Sequence, residues 1–316
     1  MNAKTGKEKW SYEDNMTHAN HEMNNLTETA SSDVANNECG IARSRRKWRK
    51  LKYMSVGLLL LIIIWFSIRP SNNRDWSPDQ AVLAWAKIND HNTHIYNIRN
   101  FDYRSDDDYT IQYYDKDYDL NKLDRLYFVL EPFSTLGTMA HTMLSFAFNN
   151  EDFVVVSIEI RKEKGESFSA FRGMFKKYEL MYVLGDERDM IKLRSNVRKD
   201  DVFLYPIKIE KEEIKKLFID ILERVNKLKE RPEFYHTLFN NCTTNIADHI
   251  NNIYPGQIPF SWKLLLSGYS DKLAFDLGLV DSDLPFNQLQ TRFKINDRAL
   301  KYAGSPDFSI KIRQFD

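Results

Sequence analysis

The sequence predicts an α+β domain with a central antiparallel sheet and flanking helices, preceded by a single transmembrane helix. Three observations carry this expectation. Sixteen uncharged residues, Tyr53–Ile68, directly follow a cluster of seven cations. Runs with two-residue alternation gather in the middle of the chain, and segments of helical periodicity flank them. Composition agrees: 42% hydrophobic and 13% aromatic residues in a chain of 316 can bury a sizeable core.

Taken in order, residues 1–42 read as a disordered tail. They are rich in Asn, Thr, Ser and Glu, carry a net charge of −4 and show no periodicity. Cys39 lies in this stretch as an ordinary thiol. Residues 43–70 form the basic flank and the membrane segment. Arg43, Arg45, Arg46, Lys47, Arg49, Lys50 and Lys52 precede YMSVGLLLLIIIWFSI, which has no polar face and an aromatic near each end. The positive charges place the tail in the cytoplasm and everything after Ile68 outside. Residues 71–78 read as a polar linker, and 79–316 as the extracytoplasmic domain.

Within that domain, Leu126–Phe133, Thr142–Phe148, Phe153–Arg161, Tyr178–Leu184 and Val202–Ile209 alternate as strands. Lys211–Glu230 is the clearest helix. Ile214, Leu217, Phe218, Ile221, Leu222, Val225 and Leu228 form one apolar stripe, and Pro232 follows its end. Thr243–Ile250 and Trp262–Leu277 also read as helical.

Equal totals of 45 cationic and 45 anionic residues argue against a nucleic-acid binder driven by bulk positive charge. Two cysteines exclude a disulfide scaffold and a Cys-rich zinc module. No phosphate-cradling loop, dinucleotide fingerprint or metal-ligand spacing occurs, so neither cofactor nor metal is expected.

The chemistry-bearing candidates are Cys242, His141 and Glu159. Cys242 sits in FNNCTTNIADHI, behind Asn240 and Asn241, which are good helix-capping types. A cysteine in the first helical turn feels the positive end of the backbone dipole. The unpartnered N–H groups there can stabilise both a thiolate and an oxyanion. Among the histidines, His249 is seven residues further on, about 10 Å along one helix. His236 remains possible. His141 heads a strand in GTMAHTMLSFAF, among small neighbours.

Side-chain alternation sets a register. Joining Thr142–Phe148 to Phe153–Arg161 through Asn149, Asn150 and Glu151 pairs Phe148 with Asp152. That pairing puts His141 opposite Glu159. An imidazole oriented by a carboxylate and serving a thiol is a Cys–His–acid arrangement. Arg99, Tyr103 and Arg104, like the turn around Gly185, Asp186, Glu187, Arg188, Asp189 and Arg194, read as structural ion pairs.

At these residues the chain resembles the Lnb N-terminal periplasmic domain family. The resemblance runs through NTHIYNIRNFDYRS, MAHTMLSFAF, VVVSIEIRKEKGESFS, RGMF, YELMYVLGDERDMIKLR and FYHTLFNNCTTNIADHI. LLLSGYSDKLAFDLGL and SPDFSIKIR extend it to Arg313. It implies a circularly permuted papain-like thiol fold, with nucleophile on Cys242, base on His141 and orienting acid on Glu159. It also implies transfer of an acyl chain through a cysteine thioester. The characterised namesake moves an acyl chain from the lipid of a diacylated lipoprotein to that lipoprotein's N-terminal amine. A membrane lipid or lipoprotein is therefore the expected partner. The acidic tail and single anchor depart from the several membrane segments of such enzymes. Rival readings are a cell-wall cysteine peptidase or amidase and a non-catalytic envelope binding protein.

The charge asymmetry generates a topology test. Protease added to intact spheroplasts should digest the region after Ile68 and spare the tail. Protection of the C-terminal region would overturn the orientation.

Overall fold

The computed structural model describes residues 12–133 and 137–315. It divides into two compact units, residues 1–69 and the domain from Pro70 onward. The first is one helix, α1 (Tyr12–Ser67). Its stretch Arg43–Ser67 is long and apolar enough to cross a membrane. The tail expected to lack structure is thus helical from Tyr12. Between Tyr12 and Cys39 there is neither Gly nor Pro to stop a helix. The hydroxyls of Thr27, Thr29 and Ser31 turn back onto carbonyls of the preceding turn. Residues 1–11 and the Cys39 side chain lie outside the described residues.

The segment expected as a linker, Ser71–Pro78, is instead fastened to the domain. Ser71 N–H donates to Glu179, and Asn72 donates to the carbonyls of Leu228 and Lys229. Trp76 is buried, with the Arg161 guanidinium 4.2 Å from its ring centre. A single tryptophan has no periodicity, so pattern reading passes over it.

Among the described residues ten strands follow: β1 (Trp85–Ile88), β2 (Asn92–Arg99), β3 (Asp102–Tyr103), β4 (Tyr109–Thr110), β5 (Tyr113–Asp119), β6 (Leu123–Pro132), β7 (Ala140–Phe148), β8 (Asp152–Arg161), β9 (Glu179–Gly185) and β10 (Phe203–Pro206). The main sheet has the order β1-β2-β9-β8-β7-β6-β10, with β5 also paired to β2; β3 and β4 form a separate small ladder. Every pairing is antiparallel except β2–β9, which meet in parallel at Arg99 and Gly185. The helices are α2 (Glu187–Lys192), α3 (Lys211–Glu230), α4 (Cys242–Ile253), α5 (Trp262–Leu265), α6 (Ser270–Asp276), α7 (Phe286–Phe293), α8 (Asn296–Lys301) and α9 (Phe308–Lys311). A π-helical turn, Leu193–Arg198, continues α2.

Alternation on the central strands gives the sheet two apolar faces. Leu144, Phe146, Phe148, Val154 and Val156 belong to the core that takes up α3 and α4. Met143, Ala147, Phe153 and Val155 belong to a second core with α2, α8 and α9. The seven expected stripe residues of α3 are all buried, each worth about 1.5–3 kcal/mol of apolar burial. The expected helix Trp262–Leu277 is broken into α5 and α6 by a 3-10 turn, Ser267–Tyr269. The break follows from a close backbone crossing at Gly268. Its N–H donates to Thr138 O, and a Cβ there would lie 1.9 Å from Gly137 O.

Phe218 of α3 packs its ring 4.8 Å from Phe146 and 5.7 Å from Phe148. Phe218→Ala should cost about 3–5 kcal/mol, measured as a lowered denaturant midpoint of the domain.

Candidate functional site

The expected register is the observed one. Phe148 pairs with Asp152, Phe146 with Val154, Leu144 with Val156 and Met143 with Ser157. Asn149 and Asn150 both take left-handed backbone conformations, with φ 50° and 54°, which Asn tolerates better than most residues. Two residues beyond the last of these pairs, His141 and Glu159 lie on one face.

They do not touch directly. His141 Nε2 is 3.9 Å from Glu159 Oε1, and Ser157 stands between them. Ser157 Oγ donates its proton to Glu159 Oε1 at 2.8 Å and lies 2.7 Å from His141 Nε2. A hydroxyl has one proton, so His141 Nε2–H must be the donor to Ser157. This pattern assigns the Nε2–H tautomer and leaves Nδ1 as the basic nitrogen of the neutral ring.

Glu159 is held from another side by Arg194, whose Nη2 is 3.2 Å away. Arg194 Nε also donates to buried Glu131 at 2.5 Å, and its Nη1 to Met190 O. Burial is the largest influence on both His141 and Glu159. It and the neighbouring Arg194 push the imidazole down to about 3, against a smaller upward pull from Glu159. For Glu159, Arg99 and Arg194 more than offset burial and hold the carboxyl well below its usual range. The ring is therefore a neutral imidazole at neutral pH, and its protonated form is disfavoured in this state.

The sequence reading passed over Ser157 and Arg194 as partners. Ser157 stood on the same strand face as Glu159. The structural ion-pair reading of Arg194 holds, with Glu131 and Glu159 as partners of a side chain that is 5% exposed. The same reading holds for Arg99, which forks onto Asp189 with two 2.9 Å bonds in the interior.

Cys242 is the first residue of α4, and the NNCTTN run builds its seat. Asn241 caps the helix by accepting from Thr244 N–H, and Thr244 Oγ1 accepts from Asn241 N–H in return. Asn240 donates to Phe234 O and Asn241 to Thr237 O. Asn245 donates to Asn240 Oδ1 and Asn241 O, while its own oxygen accepts from Tyr182 OH. Each amide thus fixes a piece of the turn that carries the sulfur. The first-turn N–H groups of Cys242 and Thr243 have no intrahelical acceptor.

Thr142 Oγ1 meets Thr243 Oγ1 at 3.3 Å. This contact joins the residue after His141 to the residue after Cys242, bringing both to one end of the sheet. Alternation then turns Thr142 toward α4 and His141 onto the face of Glu159. Cys242 is buried, its Sγ 3.8 Å from Thr243 Oγ1. Among the described residues no hydrogen bond links Cys242 to His141. The other two candidate histidines are engaged elsewhere. His236 Nδ1 accepts from the N–H groups of Leu238 and Phe239, closing its own turn. His249 lies between Asp220, at 2.5 Å, and Tyr182 OH, at 2.9 Å.

Residues 109–268 match the family described as the Lnb N-terminal periplasmic domain. The chain belongs to that family. The match covers His141, Ser157, Glu159, Arg194 and Cys242. No curated protein and no solved structure matches the chain. Among the described residues, no group of three or more His, Cys, Asp or Glu side chains is arranged to hold a metal.

Next to Thr243, the residue after Cys242, lies an apolar pocket of about 390 Å³ between α4, the sheet and the α5–α6 segment. Thr243, Ile246, Ala247 and Ile250 of α4 form one wall, and Leu144 and Leu264 face them. The volume falls in the range of small-molecule sites.

The neutral histidine sets a pH dependence. Unfolded, His141 takes a proton near its ordinary 6.5; folded, it resists until about 3. It therefore contributes stability above the upper value that is lost as pH falls through this window. Unfolding midpoints at about pH 7 and about pH 4.5 should fall further for the wild type than for His141→Gln.

Proposed function

We propose that the domain is a membrane-anchored thiol acyltransferase that works through an acyl-enzyme on Cys242. The observation that carries this reading is the apolar pocket walled by the helix that begins at Cys242. A long acyl chain seated there would bring its ester carbonyl toward the first turn of α4. A permuted papain-like arrangement, with His141 as base and Glu159 as orienting acid, fits the order of these residues along the chain.

In this proposal His141 Nδ1 takes the thiol proton, while Nε2–H stays tied through Ser157 to Glu159. The thiolate adds to the ester carbonyl, and the first-turn N–H groups receive the oxyanion. The C–O bond breaks, the leaving alcohol takes the proton from the imidazolium, and a thioester remains. An amine acceptor then attacks the thioester, transfers its proton through His141 and releases the Cys242 thiol. N-acylation of a lipoprotein is the form of this reaction that the family membership favours. The His141 ring must come within reach of the sulfur for the first step, and hydrogen bonds of this kind tighten when substrate binds.

A second reading is a lipid-binding envelope protein without catalysis. The missing hydrogen bond between Cys242 and His141 favours it. A thiol-acylating, alkyne-tagged long-chain ester offered to the full chain separates the two. An acyltransferase should retain the tag in a hydroxylamine-sensitive bond that Cys242→Ala abolishes. His141→Ala should slow labelling by roughly 10²–10⁴-fold, the usual contribution of a general base. Glu159→Gln should slow it less, because Glu159 orients the ring and transfers no proton. Chain binding without covalent capture would leave the lipid-binding reading.

A further inference from the structure

One end of the main sheet gathers features that the thiol chemistry does not use. β6 ends there at Pro132, β7 begins at Ala140, β8 ends at Arg161 and β9 begins at Glu179. The chain enters the domain at the same end, because Ser71 and Arg74 both bind Glu179. The segment 162–178, between β8 and β9, holds five cations and two carboxylates, a net charge of +3. It also presents three phenylalanines outward: Phe168, Phe171 and Phe175 are 42%, 66% and 50% exposed.

Neighbouring loops extend this surface. Phe133, itself exposed, meets Phe168 edge to face at 6.2 Å. Thr237 binds the carbonyls of Gly173 and Ala170, which sets Phe239, 66% exposed, beside the same segment. The Gly268–Thr138 crossing brings in exposed Trp262, which packs against Tyr269 at 5.1 Å. Separate exposed apolar residues need no explanation, whereas a connected set of large aromatics does.

We infer that this end of the sheet is a membrane-docking face, whose aromatic side chains seat in the headgroup region of an anionic bilayer. Chain length chooses the occupant. The helix that can cross a membrane ends at Ser67, and Ser71 is already bound to the domain. Four residue steps span at most about 14 Å, so the entry point cannot lie far from the bilayer that holds the helix. Aromatic side chains favour the interfacial region, and a basic segment among them favours anionic headgroups. A protein partner would have to compete with a lipid surface already held within this distance. The inference does not depend on any reaction at Cys242.

The full chain, with Cys39→Ser and Cys242→Ser, tests it in vesicles of phosphatidylcholine and phosphatidylglycerol. Phe171→Cys, Phe239→Cys and Glu151→Cys are labelled singly with a nitroxide. Glu151 is exposed at the opposite end of β7 and β8 and serves as the aqueous reference. Accessibility to oxygen relative to a water-soluble nickel complex is then read by power saturation. The ratio at 171 and 239 should exceed that at 151 several-fold. All three positions are exposed, so the substitutions remove no core packing. Equal ratios at the three sites would place the aromatic face in water and overturn the inference, leaving a protein partner as its explanation.

Discussion

The β7–β8 register is the constraint from which the rest of the domain follows. A strand sorts its side chains with a period of two, so one choice of pairing decides both faces at once. Pairing Phe148 with Asp152 sends Phe146 and Val154 to the core beneath α3 and α4. The same pairing sends His141, Ser157 and Glu159 to the other face. Asn149 and Asn150 make that choice affordable locally, because their left-handed backbone closes the connection without glycine. Core and candidate site therefore share one origin.

The face that carries His141 sets buried charges beside the second apolar core. Arg99, Arg194 and Arg313 lie in it, matched by Asp189, by Glu131 and Glu159, and by Glu187. Asp189, Glu187 and Arg194 all come from the single segment that runs from α2 into the π-helical turn. Buried charges of this kind are tolerable only while each keeps its partner, and loss of one partner typically costs about 3–5 kcal/mol. Such a lattice gives the strand ends little freedom. It also keeps a positive charge close to the imidazole, so the ring stays neutral.

Much of this was legible in the sequence, for identifiable reasons. The α3 stripe and the two-residue alternation of β7 and β8 are periodic signals, and they name the buried residues directly. The NNCTTN run announced a capped helix because Asn and Thr bond to backbone at helix starts. What escaped depends on distant contacts. Trp76 is buried by a cation stacked on it, and Gly268 breaks a helix because another backbone crosses there. Arg194 looked like one more charge in a charged turn, since nothing local says that its guanidinium points inward. The serine between His141 and Glu159 lay on the expected face, but a sequence does not show that two opposed side chains need a third to connect them.

The π-helical turn Leu193–Arg198 has a consequence for how this chain can change. Such a turn holds one residue more than an α-helix of equal length. Deleting one residue there and rewinding the remainder as an α-helix would leave the residues beyond it close to their present phase, since six residues of the wide turn cover roughly the rotation of five in an α-helix. Asn196, which donates to Ala299 O, and Arg198, which pairs with Asp106, sit inside the turn, so their directions depend on its wide winding. The turn is therefore the place in this segment where a one-residue change of length is absorbed without displacing Glu187 and Asp189 ahead of it.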